Sequence, residues 1–166
     1  SEMVTQLLFG EYFELLDTKG NWQLIRIAYD GYECWIDKRQ FLPIKDIKGI
    51  SDSTTALTTD LLQLAADEKN GTIPIVLGSS LPRFKSKTFS LAKEAYSFEG
   101  ESILPFSKTK EHEITEIAKW YQNAPYLWGG RSPFGIDCSG FTQMVYKLNG
   151  IKLTRDAWQQ AEQGKT

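Results

Sequence analysis

Three consecutive residues, Asp137, Cys138 and Ser139, carry the side chains in this sequence that are best suited to covalent chemistry. They follow a glycine-punctuated loop and precede apolar residues at helical spacing in 141–148, so we expect Cys138 in the first turn of an amphipathic helix. Unpaired backbone N–H groups and the positive end of the helix dipole there stabilise a thiolate over a thiol. Because the thiolate is the nucleophilic form, the pattern predicts a cysteine nucleophile, with Asp137 as the helix cap and the Ser139 hydroxyl beside it.

The alternative is that Cys138 is a small buried hydrophobe, as most unpaired cysteines are. The sequence contains one further cysteine, Cys34, and one histidine, His112. Two cysteines and one histidine are too few for a structural zinc site, so no metal or cofactor is implied. A separation in sequence gives no distance in space, and we treat the two cysteines as separate thiols.

Composition excludes several classes of partner. The 166 residues include 19 Lys and Arg against 21 Asp and Glu, with scattered basic residues and a net charge of −2. That balance argues against a nucleic-acid partner, and no segment approaches the roughly 20 apolar residues of a membrane-spanning helix. The first residues open into a strand-like pattern, so we expect any signal peptide to lie outside this chain.

The first two thirds of the chain must hold the cysteine loop in place, and their pattern is mostly that of short strands. β-branched and aromatic runs with turn residues between them predict a small barrel near the N-terminus, with a hairpin at Asp30-Gly31. Further on, 58–69 has the spacing of a short amphipathic helix, and Pro74 restricts its strand to an edge or to its first residues. The predicted strands are Val4–Phe9, Tyr12–Leu16, Trp22–Tyr29, Tyr32–Ile36, Ile73–Leu77, Lys87–Ala95 and Tyr96–Phe98.

The pattern changes from strands to helices around Leu104-Pro105-Phe106. We therefore predict an α+β chain of two domains, 1–105 and 106–166. Helices are predicted over 111–121, from Cys138 to a stop at Asn149-Gly150, and over 155–163.

The segment around the cysteine resembles the NlpC/P60 family of cell-wall cysteine peptidases. Tyr126-Leu127-Trp128-Gly129-Gly130 matches the Tyr-x-Trp-Gly-Gly that precedes the family's nucleophile, and 137–141 reads Asp-Cys-Ser-Gly-Phe. The similarity continues to 153–156. It implies a papain-like fold in which Cys138 is the nucleophile and its backbone N–H helps to hold the oxyanion. The implied substrates are peptidoglycan stem peptides, cut between a D-γ-glutamyl residue and the following diamino acid.

The resemblance also implies a substrate groove. The residues that match groove positions are Tyr126, Asp137, Ser139, Arg155 and Asp156. A carboxylate or phenol can hold a peptide amine or amide, and an arginine can fork onto a carboxylate. The alternatives are that Tyr126 belongs to the core and that Arg155-Asp156 is only a charged first helical turn.

The N-terminal strands resemble a bacterial SH3 domain over about the first 43 residues. The resemblance implies an α+β arrangement, an SH3-like β-barrel followed by the helical half of a papain-like NlpC/P60 domain. The SH3-like domain would wall off one end of the groove and select stem peptides with a free N-terminal L-alanine. Candidates for this amine-binding end are Tyr32, Glu33 and Glu2, each of which could equally be a packed or solvated barrel residue. The family implies action in the bacterial cell envelope.

A cysteine peptidase needs a base, and the family places a histidine after the nucleophile. No histidine follows Cys138, and His112 stands in a polar segment where a solvated surface position is expected. We therefore expect a fragment that ends before the catalytic sheet, is inactive alone, and leaves the apolar faces of 114–121 and 141–148 uncovered. Two alternatives stay open: a noncatalytic module in which the SH3-like barrel binds wall peptides beside a degenerate peptidase remnant, and an amidase or acyl transferase that uses the same cysteine.

Overall fold

The computed structural model describes residues 2–44, 55–67, 71–92, 94–104 and 111–164, with side chains from 114 onward in the last range. It is a mixed α+β structure, as predicted. The strands are β1 Phe13–Lys19, β2 Trp22–Ile27, β3 Glu33–Asp37, β4 Ala56–Thr58, β5 Leu62–Asp67, β6 Gly71–Val76, β7 Ser80–Leu81, β8 Thr88–Leu91, β9 Glu94–Phe98, β10 Ser102–Ile103, β11 Arg131–Ser132 and β12 Gly135–Ile136. The helices are α1 Glu111–Lys119, α2 Cys138–Leu148 and α3 Ala157–Gln163.

The N-terminal sheet is antiparallel in the order β1-β2-β3. Its hairpin turns at Asp30-Gly31, as predicted, and Gly31 has the positive φ of +74° that favours glycine. Alternate residues of β2, including Ile25 and Ile27, are buried together with Cys34. In the described residues no further strand closes this sheet into a barrel, so the predicted barrel appears as an open SH3-like sheet.

Two predicted elements are wrong, and two predicted strands, Lys87–Ala95 and Tyr96–Phe98, are divided at the wrong place, because β8 ends at Leu91 and β9 begins at Glu94. The predicted strand Val4–Phe9 does not form; the side chains of Thr5 and Gln6 instead contact Arg155 and Arg131. The predicted helix over 58–69 is instead strand β5, paired with β6 and β9. Alternation decides the outcome: Ala65 is fully buried, whereas Leu62 and Leu64 lie on the exposed face. The end of the predicted helix, at 68–70, lies outside the described residues.

The second sheet has the order β6-β5-β9-β8, and β6 lies at its edge, where Pro74 was expected. The missing N–H of a proline costs no ladder hydrogen bond at the outer side of an edge strand. A third, small sheet has the order β10-β4-β7. Its residue Leu57 belongs to the core that is shared with the helices. The boundary predicted between 105 and 106 falls outside the described residues and stays a prediction.

The helices pack on residues from the N-terminal two thirds of the chain. Ile117 of α1 and Met144 and Leu148 of α2 share one buried cluster with Leu8 and Leu77. The expectation that the apolar faces of 114–121 and 141–148 are left uncovered is therefore wrong for their buried members. None of the helices in the described ranges is long and apolar enough to cross a membrane.

A buried charge cluster joins the two parts. The Glu11 carboxylate accepts from both terminal nitrogens of Arg131, at 2.8 and 2.9 Å, from Lys147 Nζ at 2.7 Å and from the backbone N–H of Leu8 at 2.8 Å. All three charged side chains are at most 5% exposed. Burial opposes the charge on Glu11, but the two cations outweigh burial and lower the pKa of Glu11 from 4.5 to about 2.

We expect Glu11→Gln to lower the free energy of unfolding by about 3–5 kcal/mol at pH 7, because the variant leaves two buried cations without their carboxylate. Urea denaturation followed by circular dichroism measures the change. The folded-state pKa of Glu11 is depressed, so its contribution is present above about pH 4.5 and is lost as the pH falls towards 2. The difference between wild type and variant should shrink over that interval.

The matched control is Glu14→Gln, which removes an exposed carboxylate that pairs with Arg26 at the surface. We expect this control to unfold nearly as wild type does, because exposed ion pairs contribute little. Equal, small effects of the two substitutions would contradict the structural role of Glu11.

Candidate active site

Cys138 lies in the first turn of α2 and is exposed to solvent. Asp137 precedes it with extended backbone angles, and its Oδ1 atom accepts from the backbone N–H of Gly140 at 2.6 Å. The predicted helix start and cap are therefore confirmed. Both cysteines are free, and Cys34 is buried in the N-terminal sheet, where burial raises the pKa of its thiol to about 11. The interpretation of Cys138 as a buried hydrophobe is wrong.

The glycine loop brings backbone close to the nucleophile's helix. Gly129 has a φ of +75°, and a Cβ atom there would lie 2.7 Å from the carbonyl oxygen of Met3. A Cβ atom on Gly140 would collide with the carbonyl oxygen of Gly130. The N–H of Gly129 in turn donates to Oδ2 of Asp137 at 2.9 Å. Glycine at these positions allows the loop to pack directly on the first turn of α2.

Arg155 completes a buried cluster beneath the cysteine. Its Nη2 atom donates to Asp137 Oδ2 at 2.6 Å, and its Nη1 atom donates to Asp137 Oδ1 at 3.1 Å and to Ser139 Oγ at 2.8 Å. Burial opposes the charge on Asp137, but the hydrogen bonds from Arg155 and from the loop and helix N–H groups lower the pKa of Asp137. The carboxylate is therefore charged at neutral pH and holds three segments of chain together.

Three of the predicted groove residues lie together in the interior, next to the start of α2. Asp137, Ser139 and Arg155 are all less than 10% exposed, and they contact one another. Because these side chains are buried and bind the start of α2, they are better placed to position Cys138 than to contact a ligand directly. Their predicted part in substrate binding stays a prediction.

Tyr126 has a different environment, because its side chain is 69% exposed. Its backbone bridges to Ile136 in the β11–β12 hairpin, just before Asp137. Leu127, Trp128 and Phe134 of the same loop are also exposed. The interpretation of Tyr126 as a core residue is wrong, and its position beside the nucleophile loop is compatible with a groove wall.

The three residues predicted for the amine-binding end are not brought together equally. Tyr32 is half-buried and lies close to the Asp156 carboxylate; burial first, and then the negative charge of that carboxylate, raise the pKa of Tyr32. Glu33 is exposed, and its carboxylate is engaged by Arg26 at 2.8 Å on the outer side of the sheet. Glu2 is exposed near the start of the chain. Of the three residues, Tyr32 is the one that lies close to another predicted groove residue, Asp156, and these two could together receive one group of a ligand.

Some supporting residues were missed by sequence reasoning. Arg131 stands inside the matched loop, yet nothing in its neighbours indicates that it is fully buried. From the N-terminus Gln6 and Glu11 reach Arg131 and Thr5 reaches Arg155, and such long-range contacts leave no local pattern. The side chain of His112 lies outside the described residues, and its backbone belongs to α1.

An exposed cysteine in a first helical turn is accessible to a ligand and lies beside unpaired backbone N–H groups, so this position is compatible with a cysteine nucleophile. The NlpC/P60 family profile matches residues 123–166, and that of the bacterial dipeptidyl-peptidase Sh3 domain matches residues 1–41. The resemblance seen in the motif is thereby confirmed: the chain carries an NlpC/P60 segment behind an SH3-like N-terminal domain.

Individual proteins show the same relation. A gamma-D-glutamyl-L-lysine dipeptidyl-peptidase of Bacillus subtilis (strain 168) is 30% identical over 97% of this chain and 58% of its own length. Murein DD-endopeptidase MepS/Murein LD-carboxypeptidase of Escherichia coli (strain K12) is 34% identical over 49% of this chain and 42% of its own length. The crystal structure of an NlpC/P60 family protein from Bacillus cereus superimposes with a TM-score of 0.83 at 23% identity, over 96% of this chain and 59% of that one. The chain thus spans 58% of the length of the dipeptidyl-peptidase relative and 59% of the Bacillus cereus chain.

We expect iodoacetamide to alkylate Cys138 much faster than Cys34 in the folded chain at pH 7, because Cys138 is exposed and Cys34 is buried with a raised pKa. Mass spectrometry of the digested protein assigns the label to each site over time. In urea the two cysteines should react at similar rates, which provides the control. Equal rates in the folded chain, or faster labelling of Cys34, would contradict the site.

Proposed function

We propose that this chain supplies the nucleophile and part of the substrate groove of a cysteine endopeptidase that cuts peptidoglycan stem peptides. The bond cut would be that between a D-γ-glutamyl residue and the diamino acid that follows it. The observation that carries the proposal is Cys138, exposed in the first turn of α2 and seated on the Asp137–Arg155 pair within the NlpC/P60 segment. The names of the dipeptidyl-peptidase relatives support the γ-D-glutamyl bond and suggest L-lysine as the diamino acid.

The chemistry follows from these groups. The Cys138 thiolate attacks the carbonyl carbon of the γ-glutamyl bond, and the oxyanion forms beside the backbone N–H groups of the first turn of α2. Collapse of the tetrahedral intermediate expels the amine of the diamino acid, which takes up a proton, and leaves a thioester on Cys138. Water then hydrolyses the thioester and regenerates the thiolate. Asp137, Ser139 and Arg155 take no proton in this scheme; they hold the helix start.

The proton must come from a general acid, and His112 is the one histidine of the sequence. In this proposal the acid is a histidine supplied from outside these 166 residues, as the resemblance to the family implies. General acid–base catalysis is worth roughly 10²–10⁴-fold, so the 166-residue chain alone should show no useful turnover.

The N-terminal domain would determine which peptides enter. In the proposed division, domain 1–105 forms one end of the groove and domain 106–166 carries the nucleophile. Tyr32 and Asp156 face each other across that division. A carboxylate close to a phenol hydroxyl can accept hydrogen bonds from the free ammonium group of an N-terminal L-alanine. Relatives named for murein peptidases support a place of action in the bacterial cell envelope.

The proposal predicts that Cys138→Ala, made in the natural protein that contains this chain, lowers release of L-Ala-γ-D-Glu from L-Ala-γ-D-Glu-L-Lys by roughly 10³-fold or more. Chromatography of the products measures the rate. Cys34→Ala, the control at the buried thiol, should keep most of the activity. Retained activity in Cys138→Ala would refute the proposal, and tight peptide binding without any cleavage by the wild type would favour the noncatalytic wall-binding module.

A second prediction concerns the amine end. Tyr32→Phe in the same protein should raise KM for the free-amine tripeptide about tenfold with little change in kcat, because the polar hydroxyl close to the Asp156 carboxylate is lost. KM for the N-acetylated tripeptide should stay unchanged. Tyr146→Phe, at another half-buried tyrosine, is the matched control. An equal rise of KM for both peptides would show that Tyr32 does not recognise the amine.

A further inference from the structure

The segment of residues 3–11, which we call the strap, crosses the supports of the nucleophile. It forms no strand, and the side chains of Thr5, Gln6 and Glu11 are directed at residues between 131 and 155. The carbonyl oxygen of Met3 lies against Gly129 of the glycine loop. Three strap side chains then contact two buried arginines: Thr5 contacts Arg155, while Gln6 and Glu11 contact Arg131.

One arm of the strap holds Arg131, which is fully buried between the glycine loop and α2. The Glu11 carboxylate accepts from both terminal nitrogens of the guanidinium, at 2.8 and 2.9 Å, and Gln6 binds Arg131 twice. The Gln6 side-chain oxygen accepts from the Arg131 backbone N–H at 2.8 Å, and its carbonyl oxygen accepts from Nη1 at 2.8 Å. The aliphatic part of Arg131 lies beside the first turn of α2, 3.5 Å from where a Cβ of Gly140 would be. A bidentate pair fixes direction as well as charge.

The other arm holds Arg155. The Thr5 hydroxyl oxygen accepts from Arg155 Nε at 3.1 Å, while the opposite side of the guanidinium binds Asp137 and Ser139. Thr5 therefore fixes the guanidinium from behind. Any rotation of Arg155 would move Asp137, and with it the cap of the helix that begins at Cys138.

These contacts share one feature: the strap touches Arg131 and Arg155, which support Cys138, and none of these contacts reaches the sulfur itself. A nucleophile must be held to within about half an ångström of its working geometry by such outer contacts. The backbone N–H groups of the first turn of α2 stabilise charge only while the cap holds them in place.

We propose that the strap of the SH3-like domain positions the nucleophile, with Thr5, Gln6 and Glu11 acting through Arg155 and Arg131. Thr5, Gln6 and Glu11 are positioning residues and touch no reacting atom. The inference rests on the proposed function only in taking Cys138 as the nucleophile. It gives the N-terminal domain a second task besides peptide selection: the nucleophile is built jointly by both domains.

The test uses the 166-residue chain and the rate of Cys138 alkylation by iodoacetamide as a function of pH, so no peptidase activity is needed. Thr5→Val removes the acceptor for Arg155 without changing the side-chain shape. We expect it to lower the rate at pH 7 about three- to tenfold and to alter the pH–rate profile, because the helix cap loses its support. Thr5→Ser, which keeps the hydroxyl, should restore the wild-type profile.

The matched control is Thr18→Val, which removes one partly buried hydroxyl bond, to Gln23, in the same domain but away from the nucleophile. It should leave the profile unchanged while shifting the urea midpoint about as much as Thr5→Val does. Arg131→Lys, which keeps the buried charge but loses the fork, should slow alkylation as Thr5→Val does. Arg26→Lys, at an exposed fork with Glu33, is its control. If Arg131→Lys fails to fold, the threonine pair decides.

The outcomes separate the two proposals. A reactive wild-type Cys138 whose profile is the same in Thr5→Val and Thr18→Val overturns the strap proposal alone. An unreactive wild-type Cys138 overturns the nucleophile assignment and the strap proposal together. Slower alkylation in Thr5→Val, rescue by Thr5→Ser and no effect in Thr18→Val support it.

Discussion

The geometry of the helix start at Cys138 depends on the buried carboxylate of Asp137. Its two oxygens accept hydrogen bonds from the backbone of Gly129 in the glycine loop, from the backbone of Gly140 in α2 and from the guanidinium of Arg155. A buried carboxylate is stable only while such donors surround it, and each donor comes from a different segment. Loop, helix start and the turn before α3 are therefore held in one arrangement, and Cys138 is exposed at the point where they meet.

The same logic extends to the N-terminal domain. Glu11 neutralises Arg131 and Lys147 in the interior, and Thr5 supports Arg155 from behind. Burying three charges is favourable only if their mutual geometry is good, so these contacts specify how the two parts fit together. The apolar cluster that contains Leu77 and Met144 adds buried apolar surface, but apolar contacts do not fix the orientation of the two parts. In our proposals the N-terminal domain consequently both selects the peptide and positions the cysteine.

Local patterns predicted the site better than they predicted its supports. The cap at Asp137, the start of α2 and the hairpin at Asp30-Gly31 depend on neighbours in sequence, and all were predicted. Strand β5 was mistaken for a helix because the spacing of its leucines fits either element. Only the pairing of β5 with β9, which leaves Ala65 fully buried, decides between the two. The buried place of Arg131 depends on Glu11, far away in sequence, and no local pattern contains that information.

If Cys138 is a nucleophile that faces a γ-D-glutamyl group, a peptide electrophile of that chemistry should label it. The folded chain is incubated with an L-Ala-γ-D-Glu chloromethyl ketone and, separately, with the α-linked isomer. We expect a single adduct, located on Cys138 by mass spectrometry, that forms faster with the γ-linked reagent. Equal rates with both isomers, or an adduct on Cys34, would contradict it.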